Sequence, residues 1–493
     1  MHDRAAGRVP ALRRENMDAS ALLTDYYELT MANGYFCAGL ASRTVCYDIF
    51  FRQAPDGGGF CIAAGLEQAA DYLRTLRFTA EDISFLRGRG VFSEAFLEYL
   101  RTFRFTGDVW AVPEGTPVFP GEPILTVRAN AVEAQLVETF LLLTINHQTL
   151  IATKANRIVR AAAGRPVSEF GARRAHGPSA AVLGARAAYI GGVASTSCTR
   201  TSQLYGVPAS GTMAHSWVQM FDSEYEAFKT YLTLYPQNAV LLVDTYHALR
   251  SGVPNAIRAI HEVLVSQGIR SCAIRLDSGD LTYQSKQARL MLDAAGLPWC
   301  KIVVTNALDE YLIENLLAEG APVDMFGVGE RLITAKSDPV LGGVYKLVAA
   351  QDASGALQPR IKVSDNVAKI TTPHFKKVYR LYDEGAMAIA DLICLYDEQP
   401  DFTKPIALFD PEHVWKRKTV EKYTAEPLLV PVFRAGRQVY SPPALPEIQA
   451  YCVHMTARLW DELKRFSNPH RYYVDLSEQL WSLKQRMLEQ YGG

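Results

Sequence analysis

The chain has 493 residues, with 51 Lys and Arg against 52 Asp and Glu, a formal net charge of −1 at pH 7. A hydrophobic fraction of 48% and a charged fraction of 21% are those of an ordinary soluble globular protein, long enough to bury a large core without staples or metal clips. Near-neutral charge argues against a broad nucleic-acid surface, while leaving room for a small basic pocket.

The opening residues, MHDRAAGRVPALRREN, are basic but lack the apolar core of a signal peptide, so residues 1–17 are expected to form a flexible tail. Apolar stretches such as Phe140 to Ile145 are far too short to span a bilayer, so no membrane is expected as a partner. The cysteines (Cys37, Cys46, Cys61, Cys198, Cys272, Cys300, Cys394 and Cys452) are scattered, with no C-x-x-C pair. Buried reduced thiols in a cytoplasmic protein without structural zinc are the expectation.

Residues 18–140 read as a mixed α/β domain. Helix-spaced apolar positions fall at 66–76 and 94–103, and residues 107–128 alternate between Pro and Gly breaks as a compact antiparallel region does. A helical pattern from about Ala131 to Ala163 predicts two helices or one long connecting helix.

Over 141–365 the pattern becomes a regular alternation. Predicted strands lie near Val167–Phe170, Val207–Gly211, Ala239–Val243, Ser271–Leu276, Lys301–Thr305 and Val323–Gly327, with helices at 178–190, 254–267, 283–295 and 308–319. Such repetition implies parallel strands with crossover helices, in an open doubly wound sheet or a closed barrel. Nearly every strand ends in polar or glycine residues: Glu169 and Arg173, His215, Asp244 and His247, Arg275 with Asp277 and Asp280, Asn306, then Gly327 and Gly329. A barrel gathers all those ends around one mouth, whereas an open sheet concentrates function at one crevice. The expected fold is therefore an irregular parallel β/α barrel with an additional mixed α/β domain. Residues 366–493, with mixed strands, a Pro-rich stretch at 426–446 and a helix near 477–490, form a C-terminal extension that completes the α/β domain or makes a third small one.

Four segments carry candidate chemistry. In IRLDSGDL, Ile274 to Leu281, two carboxylates and an arginine at a strand end suit hydrated Mg²⁺ and anionic oxygens, although Asp-Ser-Gly is also good turn chemistry. In SEFGARRAHG, Phe170 beside Arg173 suits a planar anion, or is simply a core ring with solvated arginines. In GTMAHS, small residues leave the His215 imidazole accessible as acid, base or phosphoryl acceptor, or leave it merely structural. Late in the alternation, FGVGERL and LGGVYKL place Gly327, Gly329, Gly342 and Gly343 where barrels often bind phosphate; each is equally a tight turn.

These segments, in this order and preceded by LLTDYYELTMANGYF, together resemble the nicotinate phosphoribosyltransferases from about Leu22 to Val348, and more loosely beyond. The resemblance implies a type II phosphoribosyltransferase, usually a homodimer with shared active sites. It implies that nicotinate and 5-phosphoribosyl 1-pyrophosphate give nicotinate mononucleotide and pyrophosphate in NAD salvage, with ATP hydrolysis coupled and Mg²⁺ as cofactor. By the same resemblance, Arg275 and Asp277 act on the leaving pyrophosphate, with Asp280 a lesser candidate, and Gly327, Gly329, Gly342 and Gly343 cradle the 5-phosphate. The ring is expected between Phe170 and Tyr27 of two subunits. Arg173 supplies positive charge, and Glu169 of the same motif joins the substrate-binding set. Nicotinamide-using relatives carry an aspartate where this chain places Ser197, which favours the acid as substrate. His215 matches the histidine that becomes phosphohistidine. The metal ligands are left unassigned. Rival readings are a nicotinamide or quinolinate phosphoribosyltransferase on a similar barrel, a type I phosphoribosyltransferase suggested by VLLVDTYHALRSG, and a nucleotide-binding barrel without activity.

Overall fold

The computed structural model describes residues 20–491 apart from Glu412; the expected tail at 1–17 lies outside the described residues. Among the described residues, no helix is long and apolar enough to cross a membrane.

The strand–helix alternation forms a curled sheet of six parallel strands. In chain order these are β1 (Val167–Glu169), β2 (Ser195–Thr196), β3 (Ala239–Leu242), β4 (Cys272–Leu276), β5 (Lys301–Val304) and β6 (Met325–Val328). Their spatial order is β2-β1-β6-β5-β4-β3. Runs such as AVLL, CAIRL and KIVV are apolar along nearly their whole length because helices cover the sheet. Those helices start where the chain supplies starts: Pro178 opens Pro178–Ile190, and the Asp280 and Asp309 carboxylates accept the Tyr283 and Leu312 N–H groups at 2.9 Å.

The predicted strand at Val207–Gly211 is a correction. That segment reads VPASG, and Pro208 has no N–H for a ladder. Only an isolated bridge, Thr196 to Ala209, forms there, and Ser195–Thr196 takes the place beside β1. Among the described residues no ladder joins β2 to β3, so the barrel is irregular and incompletely closed.

A seven-stranded antiparallel sheet packs beside it. Thr44–Phe50 pairs with Leu125–Asn130 on one side and with Val344–Gln351 on the other. Asp108–Ala111 lies between Leu125–Asn130 and Val430–Arg434. The chain thus returns twice to its first sheet after leaving it. Lys376–Tyr382, Ala388–Leu395, Thr424–Pro427 and Val474–Leu476 make a separate four-stranded sheet.

The helical pattern at 131–163 resolves into Ala131–Leu136 and a long helix, Glu138–Ala161. Buried cations on the long helix fasten it to the barrel. Lys154 Nζ and Arg157 Nε donate to Glu310 Oε1 at 2.9 and 2.7 Å, and Lys154 also reaches Asp56 at 3.0 Å. Glu310 opens the helix after β5 and is completely buried. Removing its carboxylate takes the acceptor from Arg157 Nε and leaves the buried Lys154 ammonium with Asp56 as its one carboxylate partner among the described residues. Breaking a buried pair in this way costs about 3–5 kcal/mol. Glu310→Ala should therefore lower the urea unfolding midpoint steeply, and a midpoint within error of wild type would contradict this clamp.

Candidate active site at the strand ends

The C-terminal ends of β3, β4 and β5 bring charged groups together. Arg275, near the end of β4, has its guanidinium fixed on three sides: Nε donates to Thr305 Oγ1 at 2.8 Å, Nη1 to Thr212 Oγ1 at 2.7 Å, and Nη2 to Asp277 Oδ1 at 2.9 Å. A weaker 3.5 Å contact runs from Nη1 to the Met213 carbonyl. A guanidinium has five N–H donors, so among the described residues one on Nη2 is left over.

Asp277 is itself positioned. Its backbone N–H donates to Asp244 Oδ2 at 2.8 Å, and its Oδ1 accepts from the Thr305 hydroxyl. Asp244 Oδ2 also accepts from Ser278 Oγ at 2.8 Å, while Asp244 Oδ1 is buried with no hydrogen-bond partner among the described residues. The chain turns directly after Thr305 through Asn306 and Ala307, which hold φ of 87° and 28°. Non-glycine residues in that region are strained, and such strain gathers where a loop must present a side chain.

His215 begins the short helix His215–Gln219 and is half-exposed. Its Nδ1 lies 3.1 Å from Thr245 Oγ1, and its Nε2 lies 3.9 Å from Asp277 Oδ2. Imidazole, carboxylates and guanidinium thus share one mouth.

Phe170 borders the same region from β1. Gly327, in β6, is buried against it, and a Cβ there would lie 2.7 Å from both the Phe170 ring and the Thr305 methyl. Gly327 is therefore the residue that lets the ring and Thr305 approach each other. Gly329 lies under the Phe170 carbonyl, 3.1 Å from where its own Cβ would stand. Glu169 is wholly buried; it accepts from the Thr196 hydroxyl at 2.6 Å and from the Gly171 N–H, and burial pushes its carboxyl above the usual range. It braces the loop that carries Phe170.

The remaining sequence candidates are placed differently. Asp280 is a helix cap. Arg173 is exposed in the turn Ala172–Arg174, and Ser197 is exposed with its N–H on the Glu169 carbonyl at 2.8 Å. Gly342 is open to space, whereas a side chain at Gly343 would collide with the Asn146 carboxamide. Tyr27 stands on the helix Tyr26–Cys37; burial first, then Glu138, raise its phenol well above the usual range. None of the groups acting on it belongs to the strand-end cluster. The threonines Thr212, Thr245 and Thr305 are the contributors that sequence reasoning missed as site residues. Their only signal is position, each within three residues of a polar strand end or of His215.

Two family profiles match the chain: the nicotinate phosphoribosyltransferase N-terminal domain over residues 22–146, and its C-terminal domain over residues 375–484. The chain is 45% identical over 474 residues to the nicotinate phosphoribosyltransferase of Bacillus subtilis, covering 96% of each protein. It is 34% identical to the Homo sapiens protein of the same name, over 94% of this chain and 96% of that one. The crystal structure of human nicotinic acid phosphoribosyltransferase superposes with a TM-score of 0.82 at 31% identity, covering 96% of this chain and all of that one.

The Gly327 contact can be tested alone. Gly327→Ala must displace both Phe170 and Thr305, an overpacking cost of about 1–3 kcal/mol. Equilibrium denaturation should report that loss, and a variant as stable as wild type would contradict the tight seating of the ring.

Proposed function

Since this chain belongs to the nicotinate phosphoribosyltransferase family, we propose that its strand-end cluster joins nicotinate to 5-phosphoribosyl 1-pyrophosphate. Nicotinate mononucleotide and pyrophosphate are released, in the salvage of NAD. The observation that carries this reading is the three-way hold on Arg275 beside Asp277 and His215.

As the bond from ribose C1 to pyrophosphate breaks, positive charge develops on the sugar and negative charge on the leaving oxygens. The pyridine nitrogen of nicotinate supplies the electron pair for the new C1–N bond. Arg275, fixed before the reaction, meets the leaving charge with its spare N–H without reorganising, which is where such stabilisation is most effective. Asp277 and Asp244 are hard oxygen donors, and the unpartnered Asp244 Oδ1 fits an oxygen-ligated cation or one of its waters. Among the described residues no three acidic, His or Cys side chains cluster as a metal cage. Mg²⁺ would therefore be held partly by water and pyrophosphate, and when bound it neutralises phosphate charge. Gly329, Gly342 and Gly343 offer backbone to the 5-phosphate, while Gly327 acts through Phe170.

Phe170 would form one side of a sandwich around the nicotinate ring. The other side is Tyr27 of a second copy, in a homodimer with shared sites. Leu23, Tyr26, Tyr27 and Met31 leave an exposed apolar patch around the Tyr26–Cys37 helix, at 37–48% exposure each, which a second copy would cover. The exposed Arg173 would supply positive charge, and Ser197 adds none of the negative charge that would repel nicotinate, so both favour a carboxylate over an amide. Seven buried free cysteines suit a reducing cytoplasm.

ATP enters through His215. With Nδ1–H donated to Thr245, the Nε2 lone pair is the nucleophile for the ATP γ-phosphate; ADP leaves and the phosphohistidine is later hydrolysed. The added charge beside Asp277 and Arg275 would order the mouth for its donor. His215→Ala should lose ATP stimulation and keep slow ATP-independent transfer, and an unchanged ATP response would remove His215 from this role. Product analysis with nicotinate, nicotinamide and quinolinate, each with and without ATP, tests the whole reading. Nicotinate alone should be converted efficiently; efficient use of nicotinamide or quinolinate would overturn it.

A further inference from the structure

A second pocket, of about 320 Å³, lies between the seven-stranded and four-stranded sheets. None of its lining residues belongs to the strand-end cluster. Its walls come from Trp110 on Asp108–Ala111, Arg434 on Val430–Arg434, Lys377 and Tyr379 on Lys376–Tyr382, and Tyr396 just beyond Ala388–Leu395. The size falls within the range of small-molecule sites, and such sites favour junctions between layers.

The charge in this pocket is one-sided. Among the described residues no carboxylate lines it, while three cations do. Lys376 is already neutralised, because its ammonium is buried 2.7 Å from Asp48 and donates to the Thr372 and His374 carbonyls. Lys377 and Arg434 differ: among the described residues neither side chain has a hydrogen-bonded or ion-paired partner, only aromatic faces. The Arg434 guanidinium lies 4.3 Å from the centre of the Trp110 ring, and the Lys377 ammonium 5.6 Å from that of Tyr379. Cation–π contact orients a guanidinium in its plane and leaves its N–H edges available to an acceptor.

The wall residues Trp110 and Tyr396 are packed against each other and against Phe375. Trp110, Phe375 and Tyr396 pack at 4.0–5.6 Å between ring centres, with Tyr396 stacked on Phe375 at 18°. Val378, Leu429 and Pro427 complete an apolar border. A free inorganic anion would use the cations and waste the rings; a neutral apolar ligand would do the reverse. We propose that this pocket is a second ligand site, for a planar aromatic anion whose acidic group is bound by Lys377 and Arg434 and whose ring lies against Tyr396 and the apolar border. The site is independent of the phosphoribosyl-transfer reading.

The test is calorimetric titration of the full chain with adenosine 5′-monophosphate and with benzoate, which separate phosphate-bearing from carboxylate-bearing ligands. Adenosine and inorganic phosphate serve as single-feature probes. Wild type is compared with K377A/R434A, so that the difference isolates this pocket from any binding at the strand ends; R434Q carries the comparison if the double variant unfolds. At least one aromatic anion should bind saturably, with affinity reduced about tenfold or more in the variant, as expected for lost charge-assisted bonds. Phosphoribosyl transfer, assayed separately, should stay within about twofold of wild type, as expected if the charges removed take no part in it. Equal titrations for wild type and variant, including no binding to either, would overturn the proposal. So would inorganic phosphate or adenosine binding as tightly as the aromatic anions.

Discussion

A guanidinium at the end of a parallel strand has to be neutralised, oriented and kept partly available at once, and the way Arg275 meets these demands organises the mouth of the barrel. Its three short bonds draw on three different segments: Thr212 before His215, Asp277 in its own loop, and Thr305 at the end of β5. Each partner fixes another group in turn. Thr305 touches Asp277 and is packed where Gly327 leaves room, and Asp277 hangs from Asp244 at the end of β3. A displacement anywhere in this set reaches His215 and Phe170, because the charges and the ring share the same supports. Fixed donors of this kind stabilise developing charge better than mobile ones, since no free energy goes into orienting them during the reaction.

The rest of the fold keeps that mouth rigid. Parallel strands cannot follow one another directly, so every strand end is separated from the next by a covering helix, and the ends converge while the loops remain free to vary. The long Glu138–Ala161 helix is clamped to the helix after β5 by the buried pairing of Lys154 and Arg157 with Glu310. Val344–Gln351 then carries the chain from the barrel straight into the first sheet, beside Thr44–Phe50. A buried ion cluster therefore ties the long helix to the barrel, and the strand that follows the barrel is anchored by pairing inside the seven-stranded sheet.

Much of this architecture is legible in the amino-acid sequence. Apolar runs such as KIVV and AVLL read as buried parallel strands, and Pro178 and the Asp-capped starts mark helices, because these signals are local. Arg275, Asp277 and His215 are legible as chemistry by residue type and by position after a strand, and the structure brings these three together. Val207–Gly211 misleads: its apolar start resembles a strand, but Pro208 and Gly211 remove what a ladder needs. The threonines around Arg275 are not legible, because a hydroxyl becomes a site residue only through its partner's location, which is set by tertiary packing. Gly327 reads as a phosphate cradle, yet its surroundings are the Phe170 ring and the Thr305 methyl. A glycine in a strand signals close approach without saying by what.

The three-way hold on Arg275 is most directly tested by Arg275→Lys. A lysine keeps the positive charge and three N–H donors, but these diverge from one atom, so they cannot reproduce the planar fork that reaches Thr305, Thr212 and Asp277 from three separate nitrogens. Measured as pyrophosphate release at saturating nicotinate and phosphoribosyl pyrophosphate, kcat should fall by about 10²–10³-fold, the usual effect of losing one preorganised donor. Far-ultraviolet circular dichroism should stay unchanged. A folded Arg275→Lys protein turning over within about threefold of wild type would show that charge alone suffices and would contradict the account.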